Sequence, residues 1–104
     1  MDLTCTIDKV DGDLRIRLVG DIDIDSVDEL RDLLQATIRR PGTDGLRVDL
    51  LAVTFLDSSA ISVLVDASKV AEVEGCRFLI TRPRGVVRKV LEVTGVLEAL
   101  VPPD

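Results

Sequence analysis

Two adjacent hydroxyls, Ser58 and Ser59, follow the carboxylate of Asp57 and precede Ala60-Ile61, directly after the largely apolar run from Val48 to Leu56. This pattern predicts a strand that runs into a helix. At such a junction a serine hydroxyl can accept from a free N–H two or three residues on, and Ser58 is the better placed of the two to cap. Ser59 then falls in the first turn with its hydroxyl outward. The free N–H groups and positive dipole end of a helix start also stabilise an anion, so a phosphoserine there disturbs the fold little and changes the surface charge sharply. Local sequence leaves two readings open: capping chemistry alone, or capping by Ser58 with Ser59 as a phosphate acceptor.

Other chemistries are poorly supplied. The chain has no histidine, which removes a Ser-His-Asp triad, a histidine general base and a histidine-ligated metal. Cys5 and Cys76 lie far apart in apolar, strand-like runs, a setting that suits buried thiols better than a disulfide framework or a metal site. Asp23 and Asp57 have the best claim to paired-carboxylate or metal chemistry, but acidic side chains on a solvated rim account for them more simply. No glycine loop of the phosphate-cradling kind is present. The expectation is therefore a protein that is not an enzyme and holds neither cofactor nor metal.

The formal charge of −6 argues against direct binding to nucleic acid. It is unevenly spread: residues 1–57 carry 13 acidic and 7 basic side chains, and residues 58–104 carry 6 of each. The acidic half ends at the serine pair, so a partner approaching there is expected to be basic.

The elements that must position these residues are legible in outline. With 104 residues, 46% of them hydrophobic, the chain suits one domain over 1–104 with a single core. Its apolar stretches are short and broken by charge, which predicts no membrane span, no signal peptide and a cytoplasmic protein. Leu3 to Val10 and Leu14 to Val19 are strand-like, with strict alternation in Leu14-Arg15-Ile16-Arg17-Leu18 and a turn at Asp11-Gly12-Asp13. Ser26-Val27-Asp28-Glu29 reads as a capping box that opens a helix from about Val27 to Arg39, stopped by Pro41-Gly42. Leu46 to Leu50 is the next strand, and Ile61, Leu64, Val65, Ser68 and Val70-Ala71 form the stripe of a second helix ending near Gly75. Cys76 to Ile80 is a further strand, Val86 to Val93 a third helix, and Val96 to Leu100 a short turn after Thr94-Gly95. The order β-β-α-β-α-β-α predicts an α/β fold: an open mixed sheet with helices packed mainly on one side.

Three motifs within this frame resemble a known family. Val19-Gly20-Asp21-Ile22-Asp23 is similar to a Gly-Glu-Leu-Asp motif, and Val48-Asp49-Leu50 through Asp57-Ser58-Ser59-Ala60-Ile61 to an Asp-Ser-Ser/Thr-Gly-Leu motif. Leu91-Glu92-Val93-Thr94-Gly95-Val96 resembles a Leu-Glu-Leu-Thr-Gly-Leu segment. All three belong to the anti-sigma factor antagonists, the single-domain members of the STAS family. The resemblance implies that Ser59 is phosphorylated by a partner that is both serine kinase and anti-sigma factor, and that a PP2C-type phosphatase reverses the reaction. It further implies that only the unmodified form binds the anti-sigma factor, which then frees its sigma factor for transcription. The implied partner-binding set is Asp21, Asp23, Asp57, Ser58, Ser59, Ala60 and Ile61. A phosphate carrying about −1.5 to −2 charge beside Asp57, and near Asp23 in the family fold, turns a docking surface into a repulsive one.

The chain departs from the family pattern in three places. Ala60 stands where glycine is usual and adds a methyl near the acceptor. Asp21 replaces the commoner glutamate. The carboxyl terminus, Val101-Pro102-Pro103-Asp104, stops where many relatives continue into a last strand and helix, which leaves sheet less covered and favours a homodimer or an extended partner contact. An acyl carrier protein is excluded by the alternating hairpin, and a receiver domain by the lack of its acidic pair and late lysine. The competing reading is a STAS scaffold or transporter-associated subunit that is never phosphorylated. The retained Asp57-Ser58-Ser59 favours the switch.

Overall fold

The structure, a computed structural model, describes residues 3–103. Strand β1 (Thr4–Val10) turns into β2 (Asp13–Ile22) through Asp11 and Gly12 alone. Both residues have positive φ, 52° and 87°, the backbone that a two-residue hairpin loop demands and that Asp-Gly supplies. Asp13, expected in the turn, is instead the first residue of β2 and is buried. Helix α1 (Val27–Ile38), β3 (Gly45–Leu56), α2 (Ser58–Val73), β4 (Arg77–Thr81), α3 (Gly85–Val93) and α4 (Val96–Leu100) follow. The predicted order holds, with the terminal turn realised as the short helix α4.

The sheet runs β1-β2-β3-β4, with β1 antiparallel to β2 and the other neighbours parallel. Each parallel step needs a crossover, and the fixed hand of such connections places α1 and α2 on the same face. That face carries Ile16, Leu18, Val48, Leu50, Phe78 and Ile80 against Leu30 and Leu34 of α1, Leu64 and Ala71 of α2, and Val87 and Leu91 of α3. The fold expectation of helices mainly on one side is thus met. Cys76 is buried and Cys5 partly so, and both are free thiols; burial pushes the Cys76 thiol up from its ordinary value.

The outer face is uncovered and charged. Arg15 pairs with Asp8, Arg47 with Asp13 and Asp11, Arg77 with Asp13, and Arg17 and Arg82 with Asp49. Gly45 makes room for one of these clusters: a Cβ there would lie 2.4 Å from the Asp13 carboxylate.

Both central strands are longer than their alternation predicts. Between Arg17 and Val19, and again between Gly20 and Asp21, β3 contains one residue more than β2. These bulges bend β3 and break its period of two, which is why the pattern stops at Leu50 while the strand continues to Leu56. Gly20 sits in this region at φ +90° with open space around it, so its backbone angle, not crowding, calls for glycine.

Candidate functional site

Ile22 and Leu56 are the last paired residues of β2 and β3, and the Asp57 N–H donates to the Ile22 carbonyl at 3.2 Å. That bond places the loop Asp23 to Ser26 beside the start of α2. Asp57 is extended (φ −93°, ψ 178°) and is itself the N-cap, accepting from the Ala60 N–H at 2.9 Å. The expectation that Ser58 caps is therefore corrected. The helix begins one residue earlier than the serine pattern suggests, so Ser58 is its first residue and lies exposed.

Ser59 is half-buried, and its hydroxyl is not free: it donates to the Asp57 carboxylate at 2.5 Å. This bond, followed by the Ala60 N–H, holds the Asp57 carboxyl below its ordinary value, and the Ser59 and Ile24 N–H groups add to the effect. One carboxylate thus fixes the hydroxyl, caps the helix and faces the neighbouring loop. Ala60 is fully buried and Ile61 nearly so. Both therefore belong to the core beneath the site rather than to a surface that a partner touches, and the Ala60 methyl does not obstruct approach to Ser59.

The loop is held by its own aspartate. Asp23 Oδ1 accepts from the Asp25 N–H at 3.0 Å and lies 3.5 Å from the Ser26 hydroxyl, as a local aspartate turn does. The predicted capping box does not form. Ser26 has helical φ and ψ (−104°, −11°) and makes no side-chain cap, and Glu29 accepts from the Leu3 N–H instead. Asp21, at the end of β2, accepts from the Thr54 hydroxyl.

The structure therefore brings Asp21, Asp23, Asp57 and Ser59 to the carboxyl ends of β2 and β3, with Ser58 exposed beside them. Among the described residues none of these carboxylates makes a salt bridge, and no group of three or more acidic, cysteine or histidine side chains is placed to hold a metal. Sequence reasoning missed the apolar part of this tip. Ile24 is 72% exposed and Phe55 43%. The strand ends at Ile22, and only the turn of the chain there releases Ile24. No helix among the described residues is long and apolar enough to cross a membrane.

The family described as Mlab, STAS domain, matches residues 5–102. The anti-sigma-B factor antagonist of Bacillus subtilis (strain 168) is 23% identical over 100 residues, which cover 96% of this chain and 90% of the relative. The crystal structure of an anti-sigma factor antagonist from Mycobacterium paratuberculosis is similar at a TM-score of 0.77 and 25% identity, over 97% of this chain and 86% of that one. A Thermotoga maritima protein shares the fold at a TM-score of 0.83 and 17% identity, over 93% and 83%.

Proposed function

The chain belongs to the STAS domain family, and on that premise we propose that it is an anti-sigma factor antagonist switched by phosphorylation of Ser59. The observation that carries this reading is the half-buried Ser59 hydroxyl, fixed by Asp57 in the first turn of α2 beside carboxylates that lack ionic partners. In the unmodified protein the tip presents Asp21, Asp23 and Asp57 with Ile24 and Phe55. That combination suits a basic partner surface with an apolar centre. The partner is an anti-sigma factor that is also a serine kinase; its capture frees a sigma factor in the cytoplasm, and a PP2C-type phosphatase resets the switch.

Phosphoryl transfer moves the terminal phosphoryl of a nucleoside triphosphate on the kinase to Ser59 Oγ. The bond to the leaving diphosphate breaks, and the hydroxyl proton passes to the Asp57 carboxylate that already accepts it and from there to water. The hydroxyl is then no longer a donor to Asp57, and a dianion stands beside a carboxylate that has lost one of its strongest stabilising contacts. Like charge and desolvation at the tip then oppose redocking of the same partner. Incubation with the candidate kinase and nucleoside triphosphate, followed by intact-mass and peptide mapping, tests the reading. The expected result is one phosphate on Ser59, none on Ser59→Ala, and full incorporation in Ser58→Ala. A phosphate mapped to Ser58, or none with an active kinase that binds the protein, overturns it; the second result favours a constitutive scaffold.

A further inference from the structure

We propose that the outer face of the sheet is a second docking surface, centred on Arg17, Arg82 and the buried carboxylate of Asp49, and that its occupant is an acidic segment of a partner protein in which carboxylates alternate with apolar side chains. Arg82 follows β4 with φ +54° and precedes Pro83. A left-handed backbone is uncommon in any residue with a side chain, and a following proline pushes the residue before it toward extended angles. The conformation persists because the Arg82 guanidinium forks onto Asp49 through Nε and Nη2. Arg17 approaches the same carboxylate from the next strand at 3.7 Å.

Asp49 is 2% exposed, whereas Arg17 and Arg82 are 46% and 50% exposed. One guanidinium is enough to neutralise a buried carboxylate. The second leaves a net positive charge at the surface, with unused N–H donors facing water. Strained backbone kept in place for an extra surface charge is a feature of sites rather than of cores.

The surroundings define the occupant. The depression between the two arginines is bordered by Leu51 and Ala52, and exposed Val19 and Phe55 extend the apolar strip toward the acidic tip. In the ion pairs of this face among the described residues five arginines meet four aspartates, so around Asp49 itself two guanidinium groups share one carboxylate on a chain of net charge −6. The interleaved aspartates interrupt the continuous positive potential that a nucleic acid backbone or an anionic bilayer relies on. Separate carboxylates spaced by apolar side chains meet both the guanidinium forks and the Leu51 strip.

The test uses the full chain and a fluorescein-labelled peptide, Glu-Leu-Glu-Phe-Glu-Leu-Glu, with its glutamine counterpart. Saturable binding is expected, with amide shifts confined to the strands around Arg17, Leu51 and Arg82. Affinity is expected to fall about tenfold in Arg82→Gln and in the glutamine peptide, and to weaken further with salt. Arg82→Gln keeps Arg17 on Asp49, and Leu51→Ser, at an exposed position, provides a second variant that weakens binding with the fold intact. Ser59→Asp is expected to bind the peptide as wild type does, so failure here leaves the Ser59 switch untouched. Four results overturn the proposal: no saturable binding, equal binding of the glutamine peptide, binding only to vesicles of phosphatidylglycerol and phosphatidylcholine, or self-association lost in Arg82→Gln, which assigns the face to a second copy.

Discussion

Asp49 and Asp57 stand within one stretch of chain, yet their carboxylates are held by different kinds of partner. Burial pushes the Asp49 carboxyl up, but the Arg82 fork, the Leu51 N–H and Arg17 together hold it below its ordinary value. Asp57 is also lowered, by the Ser59 hydroxyl first and the Ala60 N–H next, all of them neutral donors. A carboxylate paired with guanidinium has its charge cancelled inside the molecule. One held by hydroxyl and amide keeps its charge for whatever arrives from outside. The outer face near Asp49 therefore presents its arginines, and the tip near Asp57 presents its aspartates. The two carboxylates thus leave opposite local charge at the surface beside them.

The comparison breaks first if Asp49 is dispensable. Asp49→Ala removes the shared partner of two arginines and the acceptor for the Leu51 N–H, so about 2–3 kcal/mol of stability is expected to go, read from the denaturant midpoint. A loss below about 0.5 kcal/mol would reduce the outer face to ordinary surface ion pairs. At the tip the largest effect is on binding. Ser59→Asp is expected to lower affinity for the anti-sigma factor about a hundredfold, equivalent to about 2.7 kcal/mol. Its melting temperature is expected to fall modestly, because Asp57 loses the Ser59 hydroxyl and gains a like charge beside it while the dipole at the start of α2 offsets part of that cost. Titration calorimetry and thermal unfolding on the same samples check both halves.

Removal of the true cap comes next. Asp57→Ala is expected to cost about 1 kcal/mol and Ser58→Ala less than about 0.5 kcal/mol, the reverse of what the serine pattern suggests. Acid titration tests both carboxylates. Both folded-state pKa values lie below the unfolded value of about 3.9, so the stability they contribute is complete above that range and is lost as pH falls through the folded values. Asp49→Asn and Asp57→Asn should each flatten this acid limb. The smallest effect belongs to Asp23→Asn, a few-fold weakening of anti-sigma binding that shrinks as salt rises, with no change in melting temperature.

The fold was largely legible because its signals are local. Asp11-Gly12 supplies the left-handed angles of the hairpin, strand-like composition marks β1, alternation marks the first part of β2, and apolar spacing marks α1, α2 and α3. The candidate site was legible in part: Asp21, Asp23, Asp57, Ser58 and Ser59 do converge, whereas Ala60 and Ile61 turn inward. Capping was misread twice for one reason. A serine is a good cap only when its backbone is extended, and at both helix starts the chain gives that role away: Ser26 is already helical, and Asp57 takes the cap ahead of Ser58.

What the sequence determined by itself was the order of elements, the single apolar face and the position of two hydroxyls at a strand-to-helix junction, since each depends on residues within a few positions of one another. Tertiary structure alone decided which carboxylates keep their charge. The Asp49 cluster joins residues from three segments, Arg17, Asp49 and Arg82, and the partnership of Arg17 with Asp49 depends on a strand register that the bulges beyond it then shift. Pairing between strands is set by register and by the cost of burying an unpaired charge, and neither quantity is written in the spacing of any one segment.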